Sequence, residues 1–231
     1  KKLMSKDKVL VIAEAGVNHE GDIAKAKLMI DQVSSAGLDA IKFQTYKADK
    51  LASKNSPAYW DTTKETTLSQ HELFKKYDSF EDDDYIELAR YAAETGIHFL
   101  STPFDLEAVD LLAPLMPAFK IASADITNFP LLEKIASYGK PILLSTGASL
   151  VSEIWEAMEI LLDCGCKEIA LLHCILNYPT LLENANLGMI KNMRELFPNV
   201  VIGYSDHVPS EHILEVLPAA WLLGANVIEK H

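Results

Sequence analysis

Two histidines, His207 and His231, each close a short strand-like run, IGYSDH and VIEKH, and an acid, Glu14, closes another, VLVIAEAG. In a closed ring of parallel strands the first run lies beside the last two, so these three side chains would meet at one mouth. Two imidazoles with a nearby carboxylate and open water positions suit a divalent ion such as Mn²⁺, Mg²⁺, Fe²⁺ or Zn²⁺, without choosing among them. A second set suits an anion. Lys42 and Gln44 end IKFQT, Lys120 and Ser123 lie in FKIAS, and Ser101, Thr102 and Phe104 lie in STPF. Ser145 and Thr146 precede Gly147 in STGAS, and Ser205 lies two residues before His207. A strand buried on both faces has no solvent side, so a lysine on it must be paired, neutral or turned to a ligand. Gly147 is expected to let backbone N–H groups approach that ligand.

The elements that must position these residues follow from spacing. Strand-like runs recur about every 30 residues: Val9–Ala15, Ala40–Tyr46, His98–Pro103, Ala118–Ser123, Pro141–Thr146, Glu168–Ile175, Val200–His207 and Val227–His231. Between them, stretches such as AKAKLMIDQVSSAG and HILEVLPAAWLLGA carry apolar residues three and four apart. Asp22, Ser79 and Asp105 are candidate N-caps, and Glu81 to Asp84 place acids in a first turn. Gly37, Gly96, Gly139, Gly165 and Gly224 each shortly precede a strand, as helix-ending glycines do. The pattern is a (β/α)₈ TIM barrel in one domain over residues 1–231. An open doubly wound sheet often has a glycine-rich phosphate loop, and no G-x-G-x-x-G occurs. The sequence ends with strand eight, so the expectation is a barrel truncated there, its last helix absent.

Composition narrows the function classes. The longest apolar runs are too short to span a bilayer, and KKLMSKDK lacks the apolar stretch of a signal peptide. Cys164, Cys166 and Cys174 are an odd number, and Cys164-x-Cys166 is not zinc-finger spacing, so free thiols in a reducing cytoplasm are expected. A formal net charge of −12 argues against nucleic acid or an anionic membrane as partner. Among the other histidines, His71, His98 and His212 read as surface or capping residues, while His173 is either a satisfied core group or a site residue. Lys47 to Asp78 reads as a long loop whose Tyr59-Trp60-Asp61 and Glu72-Leu73-Phe74 suit a sugar face.

The motifs IAEAGVNHEGD, IKFQTY, STPFD, KIAS, LLSTGAS, HCxxxYPT, IGYSDH and IEKH occur in this order from Val9 to His231. Together they resemble the N-acetylneuraminate (sialic acid) synthase family, which includes synthases of legionaminic, pseudaminic and other nonulosonic acids. The resemblance implies a barrel followed by an antifreeze-like domain, absent from this sequence, in a homodimer. It implies condensation of phosphoenolpyruvate with an N-acetylated hexose, such as N-acetylmannosamine or its 6-phosphate, with release of phosphate. By motif, Lys42, Thr102, Lys120, Ser123, Ser145 and Ser205 fall where that family holds phosphoenolpyruvate. His207 and His231 fall on its metal ligands, with Mn²⁺ expected ahead of Mg²⁺, and Glu14, Gln44 and Tyr178 fall near the reacting sugar and enol. Two departures bear on the sugar: Asp125 stands in KIASAD where many members have glutamate, and HCILNYPT carries Leu176 where the sialic acid enzymes often have asparagine, with Asn177 next to it. The alternatives are a Schiff-base aldolase or transaldolase-like barrel using Lys120 or Lys42, and a non-catalytic scaffold.

Overall fold

The structure is a computed structural model and describes residues 3–4, 8–58 and 60–231. Tyr59, expected on the sugar face, lies outside the described residues. In chain order the main elements are β1 (Leu10–Gly16), α1 (Ile23–Ser35), β2 (Ala40–Thr45), α2 (Ala48–Leu51), α3 (Gln70–Tyr77), α4 (Asp82–Thr95), β3 (His98–Pro103) and α5 (Leu106–Leu112). They continue with β4 (Phe119–Ile121), α6 (Phe129–Ala136), β5 (Ile142–Ser145), α7 (Val151–Asp163), β6 (Ile169–His173), α8 (Gly188–Leu196), β7 (Val201–Asp206), α9 (Ile213–Leu222) and β8 (Val227–Lys230).

All the ladders are parallel and run in the order β3-β2-β1-β8-β7-β6-β5-β4. At the seam β3 and β4 lie side by side, so the eight strands form a nearly closed barrel. Because β1 ladders to β8 and β8 to β7, the ends of the first and last two strands are neighbours, as the spacing required. Side chains alternate across each strand. One set, including Ile41, Phe43 and Phe99, is buried with Ile30 of α1 and Leu88 of α4 in the core between barrel and helices. The other set turns into the barrel.

Local signals place the helices. The Asp22 carboxylate accepts from Ala24 N and Lys25 N, and Asp105 accepts from Glu107 N and Ala108 N. The five helix-ending glycines take positive φ, from 62° at Gly139 to 106° at Gly224. Ser79 is not a cap. It packs against Gly21, and the N-cap of α4 is Glu81, whose N–H donates to the Asp84 carboxylate at 2.9 Å in a capping box. The stretch after β2 is also not a plain loop, since it folds α2, α3 and a bridge between Pro57 and Ser69. Among the described residues no helix is long and apolar enough to cross a membrane.

Candidate active site

At the carboxyl ends of the strands a cavity of about 510 Å³ opens, lined by all the residues that the family resemblance places on substrate or metal: Glu14, Lys42, Gln44, Thr102, Lys120, Ser123, Ser145, Tyr178, Ser205, His207 and His231. Strand alternation explains the selection. Glu14, Lys42, Gln44, Thr102, Lys120, Ser145 and Ser205 share the inward parity of their strands, whereas Ser101 and Thr146 face out. Ser101 Oγ lies 2.7 Å from Thr45 Oγ1, and Thr146 donates to the Leu172 carbonyl, so neither serves the cavity.

The floor is a network of buried charges. Lys42 Nζ lies 2.5 Å from Glu14 Oε2 and 3.7 Å from Glu229 Oε2, and donates to Thr102 Oγ1 at 3.2 Å. Lys120 Nζ lies 3.5 Å from Glu229 Oε1, which also accepts from Ser205 Oγ at 2.7 Å. Gln44 Nε2 donates to Glu14 Oε1 at 3.2 Å. Burial would strip the proton from Lys42, but Glu14 and then Glu229 outweigh it and hold the ammonium above the ordinary lysine range. Burial would likewise raise Glu229, yet Lys120 and Lys42 hold it well below the usual carboxylate range. The four groups thus cancel in charge. An amine held protonated is a poor imine-forming nucleophile, which counts against Lys42 as a Schiff-base residue.

Glu229 is the residue that reading the sequence missed. It stands two positions before His231 and opposite Ser205 across the β7–β8 ladder, so its parity already pointed inward. Glu14, His207 and His231 share one mouth as expected, but the carboxylate beside the histidines is Glu229. Glu14 is committed to Lys42, and Glu229 Oε1 lies 3.6 Å from His231 Nε2.

His207 and His231 do meet, with their Nε2 atoms 3.1 Å apart. His207 Nδ1 lies 2.5 Å from the Ile175 carbonyl and donates to it, which leaves the lone pair on Nε2. Burial, reinforced by His231, pushes the His207 imidazole down to about 4, so it is neutral. Two imidazole nitrogens facing one point, one of them fixed as an acceptor, fit a divalent cation. Among the described residues no cluster of three or more His, Cys, Asp or Glu side chains is arranged to hold a metal. Tyr178 stacks obliquely on His207 with ring centroids 4.0 Å apart.

The opposite wall differs. Ser123 Oγ accepts from Gly147 N at 2.8 Å and lies 3.2 Å from Cys174 Sγ. Gly147 therefore spends its N–H on Ser123 instead of on a ligand, contrary to expectation. The glycine is needed because a Cβ would come within 2.7 Å of Cys174 Sγ and 2.9 Å of Leu176. Ser145 Oγ is buried with no partner, a donor left for something else in the cavity.

Several other expectations resolve. His173 is a core histidine: it faces out of the barrel, donates from Nε2 to the Ala185 carbonyl at 2.9 Å and stacks on Tyr204. His71 is not a surface residue but is buried, 2.7 Å from Asp49 Oδ1. The described aromatics of the excursion after β2 do not line the cavity; Phe74 supports Tyr46, which packs edge-on against Phe104, and Phe104 does line it. Leu176 lines the cavity, while Asp125 and Asn177 do not. Asp125 accepts from Asn128 at 3.0 Å, and burial raises its carboxyl.

Comparison with known proteins finds relatives over nearly the whole chain. The model of the NeuB family matches residues 29–231. An uncharacterized protein of Methanocaldococcus jannaschii is 47% identical over 222 residues, covering 96% of this chain and 61% of that protein. The N,N'-diacetyllegionaminic acid synthase of Campylobacter jejuni is 44% identical over 230 residues, covering 97% of this chain and 67% of the synthase. The chain thus spans about three fifths to two thirds of these relatives. The solved N-acetylneuraminic acid (sialic acid) synthetase of Leptospira borgpetersenii superposes with a TM-score of 0.86 at 34% identity, covering 98% of this chain and 74% of that one.

Proposed function

Since the chain belongs to the NeuB family, we propose that it is the barrel of a sialic-type acid synthase that condenses phosphoenolpyruvate with an N-acetylated hexose, giving a nonulosonic acid and phosphate. The observation that carries this reading is the buried floor. Two ammonium groups, Lys42 and Lys120, lie beneath a cavity ringed by the hydroxyls of Thr102, Ser123, Ser145 and Ser205, and one of those hydroxyls is unpartnered. Phosphate and carboxylate groups are what such donors bind.

The chain's residues divide the work. Lys42 and Lys120 hold the anionic groups of phosphoenolpyruvate and re-aim from their glutamates to do so, while holding both reactants together lowers the entropic barrier. The enol π pair forms the bond from C3 to the aldehyde carbon of the open-chain sugar as the aldehyde C=O π pair moves onto its oxygen, leaving C2 electron-poor. Water attacks C2, Glu14 accepts one of its protons and passes it to the new alkoxide, and the C2–O bond to phosphate then breaks, the electron pair and the remaining hydroxyl proton leaving with phosphate as C2 becomes the ketone. Gln44 holds Glu14 in orientation for that transfer. His207 and His231 would hold a divalent ion, Mn²⁺ first, which when bound supplies Lewis-acid polarisation of the sugar carbonyl.

The test follows the bridging oxygen. Phosphoenolpyruvate labelled there with ¹⁸O should deliver its label to inorganic phosphate. Label recovered in the keto-acid product would mean P–O cleavage and would overturn the assignment.

A further inference from the structure

We infer that Asp206 and Lys230 form a positioning pair that sets the spacing of His207 and His231. The inference rests on the reading that these histidines hold a divalent ion. The two residues face each other in the β7–β8 register, each one position before a histidine, and on the outer parity, opposite in sense to Ser205 and Glu229. Asp206 is 1% exposed, and Lys230 Nζ lies 3.0 Å from its Oδ2.

The contacts of the pair converge on the backbone that carries the histidines. Asp206 Oδ1 accepts from Tyr204 OH at 2.9 Å and from Val208 N at 3.0 Å. Lys230 Nζ donates to the Val208 carbonyl at 2.5 Å. His231 N donates to the Asp206 carbonyl at 3.2 Å. The residues on either side of His207, Asp206 and Val208, are therefore both held by Lys230, the residue before His231, and no atom of the pair enters the cavity lining. An apolar pair would be cheaper to bury at such a site. What a charged, hydrogen-bonded pair adds is direction: it holds two strand ends at one distance, where apolar contacts would let them slide.

The experiment measures Mn²⁺ binding to the full chain by electron paramagnetic resonance, alongside imidazole signals of ¹⁵N-histidine-labelled, metal-free protein. Lys230→Met keeps the stem and removes the charge; it should weaken Mn²⁺ binding about 10- to 100-fold, the range for groups that orient metal ligands. Asp206→Asn keeps the acceptor oxygen and loses the ion pair, and should show a smaller loss in the same direction. In both, the His207 and His231 signals should shift or broaden while those of His71 and His212 stay put, which a general loss of packing would not produce. Wild-type Mn²⁺ affinity with unmoved His207 and His231 signals in both variants overturns the proposal. Should Lys230→Met fail to fold, Asp206→Asn decides alone. If wild-type protein binds no Mn²⁺, or His231→Ala binds it equally well, the metal reading is what fails, and the metal-free imidazole signals decide the positioning pair.

Discussion

Along β1, β2 and β8 the cavity wall carries Glu14, Lys42 and Glu229, buried ions each within 3.7 Å of an opposite charge, whereas along β5 and β6 it carries Ser145 and the first residue after β6, Cys174, a hydroxyl and a thiol. On the first wall removing any one charge leaves the rest unbalanced. On the second, a donor already stands unpartnered. The difference separates two ways of preparing a site for an anion: a charged floor kept stable by mutual neutralisation until a ligand competes for it, and a neutral wall that bears a small standing cost until a ligand completes it.

The sharpest way to break this contrast is Glu229→Ala, which leaves Lys42 and Lys120 facing one another without their shared carboxylate. Breaking a buried pair typically costs about 3–5 kcal/mol, and urea unfolding should show a loss of that size. A loss under about 1 kcal/mol would mean the floor is not a closed circuit. Adding Lys42→Met to that variant should cost less than the sum of the two single changes, because the partners are coupled.

An intermediate effect is expected from pH on the neutral side, where His173 is held uncharged. Burial lowers its imidazole below the usual range. Below pH about 6.5 the unfolded chain takes up a proton that the folded chain refuses, so this group's contribution falls as pH drops from there toward the folded value. The slope is up to about 1.4 kcal/mol per pH unit. His173→Phe should flatten the stability profile in that window, and an unchanged profile would show that pairing, not burial, governs this side too.

The smallest effect is the most discriminating in sign. Ser145→Ala removes a buried hydroxyl that has no partner, so stability should hold or rise by up to about 1 kcal/mol, while phosphoenolpyruvate binding by calorimetry weakens about fivefold. A large loss of stability would place Ser145 in the folded framework instead of in wait for a ligand.

Most of this site was legible because parallel strands in a barrel send their carboxyl ends to one mouth, and strand ends can be found from period and punctuation. Lys42, Lys120, His207 and His231 were identified that way. Parity was also available but less visible: Glu229 sits in a four-residue strand, too short for alternation to announce itself. Ser79, Gly147 and the segment after β2 were misjudged for a different reason. Ser79 lost its cap role to a capping box two residues on, Gly147 is demanded by the bulk of Cys174 and Leu176, and the excursion after β2 folds two helices of its own.

By itself, then, the sequence determined the ring of strands, the end at which chemistry collects and the types of group gathered there, because these depend on local periodicity and on residue identity. Only the tertiary structure decided who pairs with whom: that Glu14 belongs to Lys42, that Glu229 bridges both lysines, and that Asp206 and Lys230 join behind the histidines. Such pairings depend on separations of a few ångströms between residues far apart in the chain, where Coulomb energy and desolvation change steeply with distance and burial.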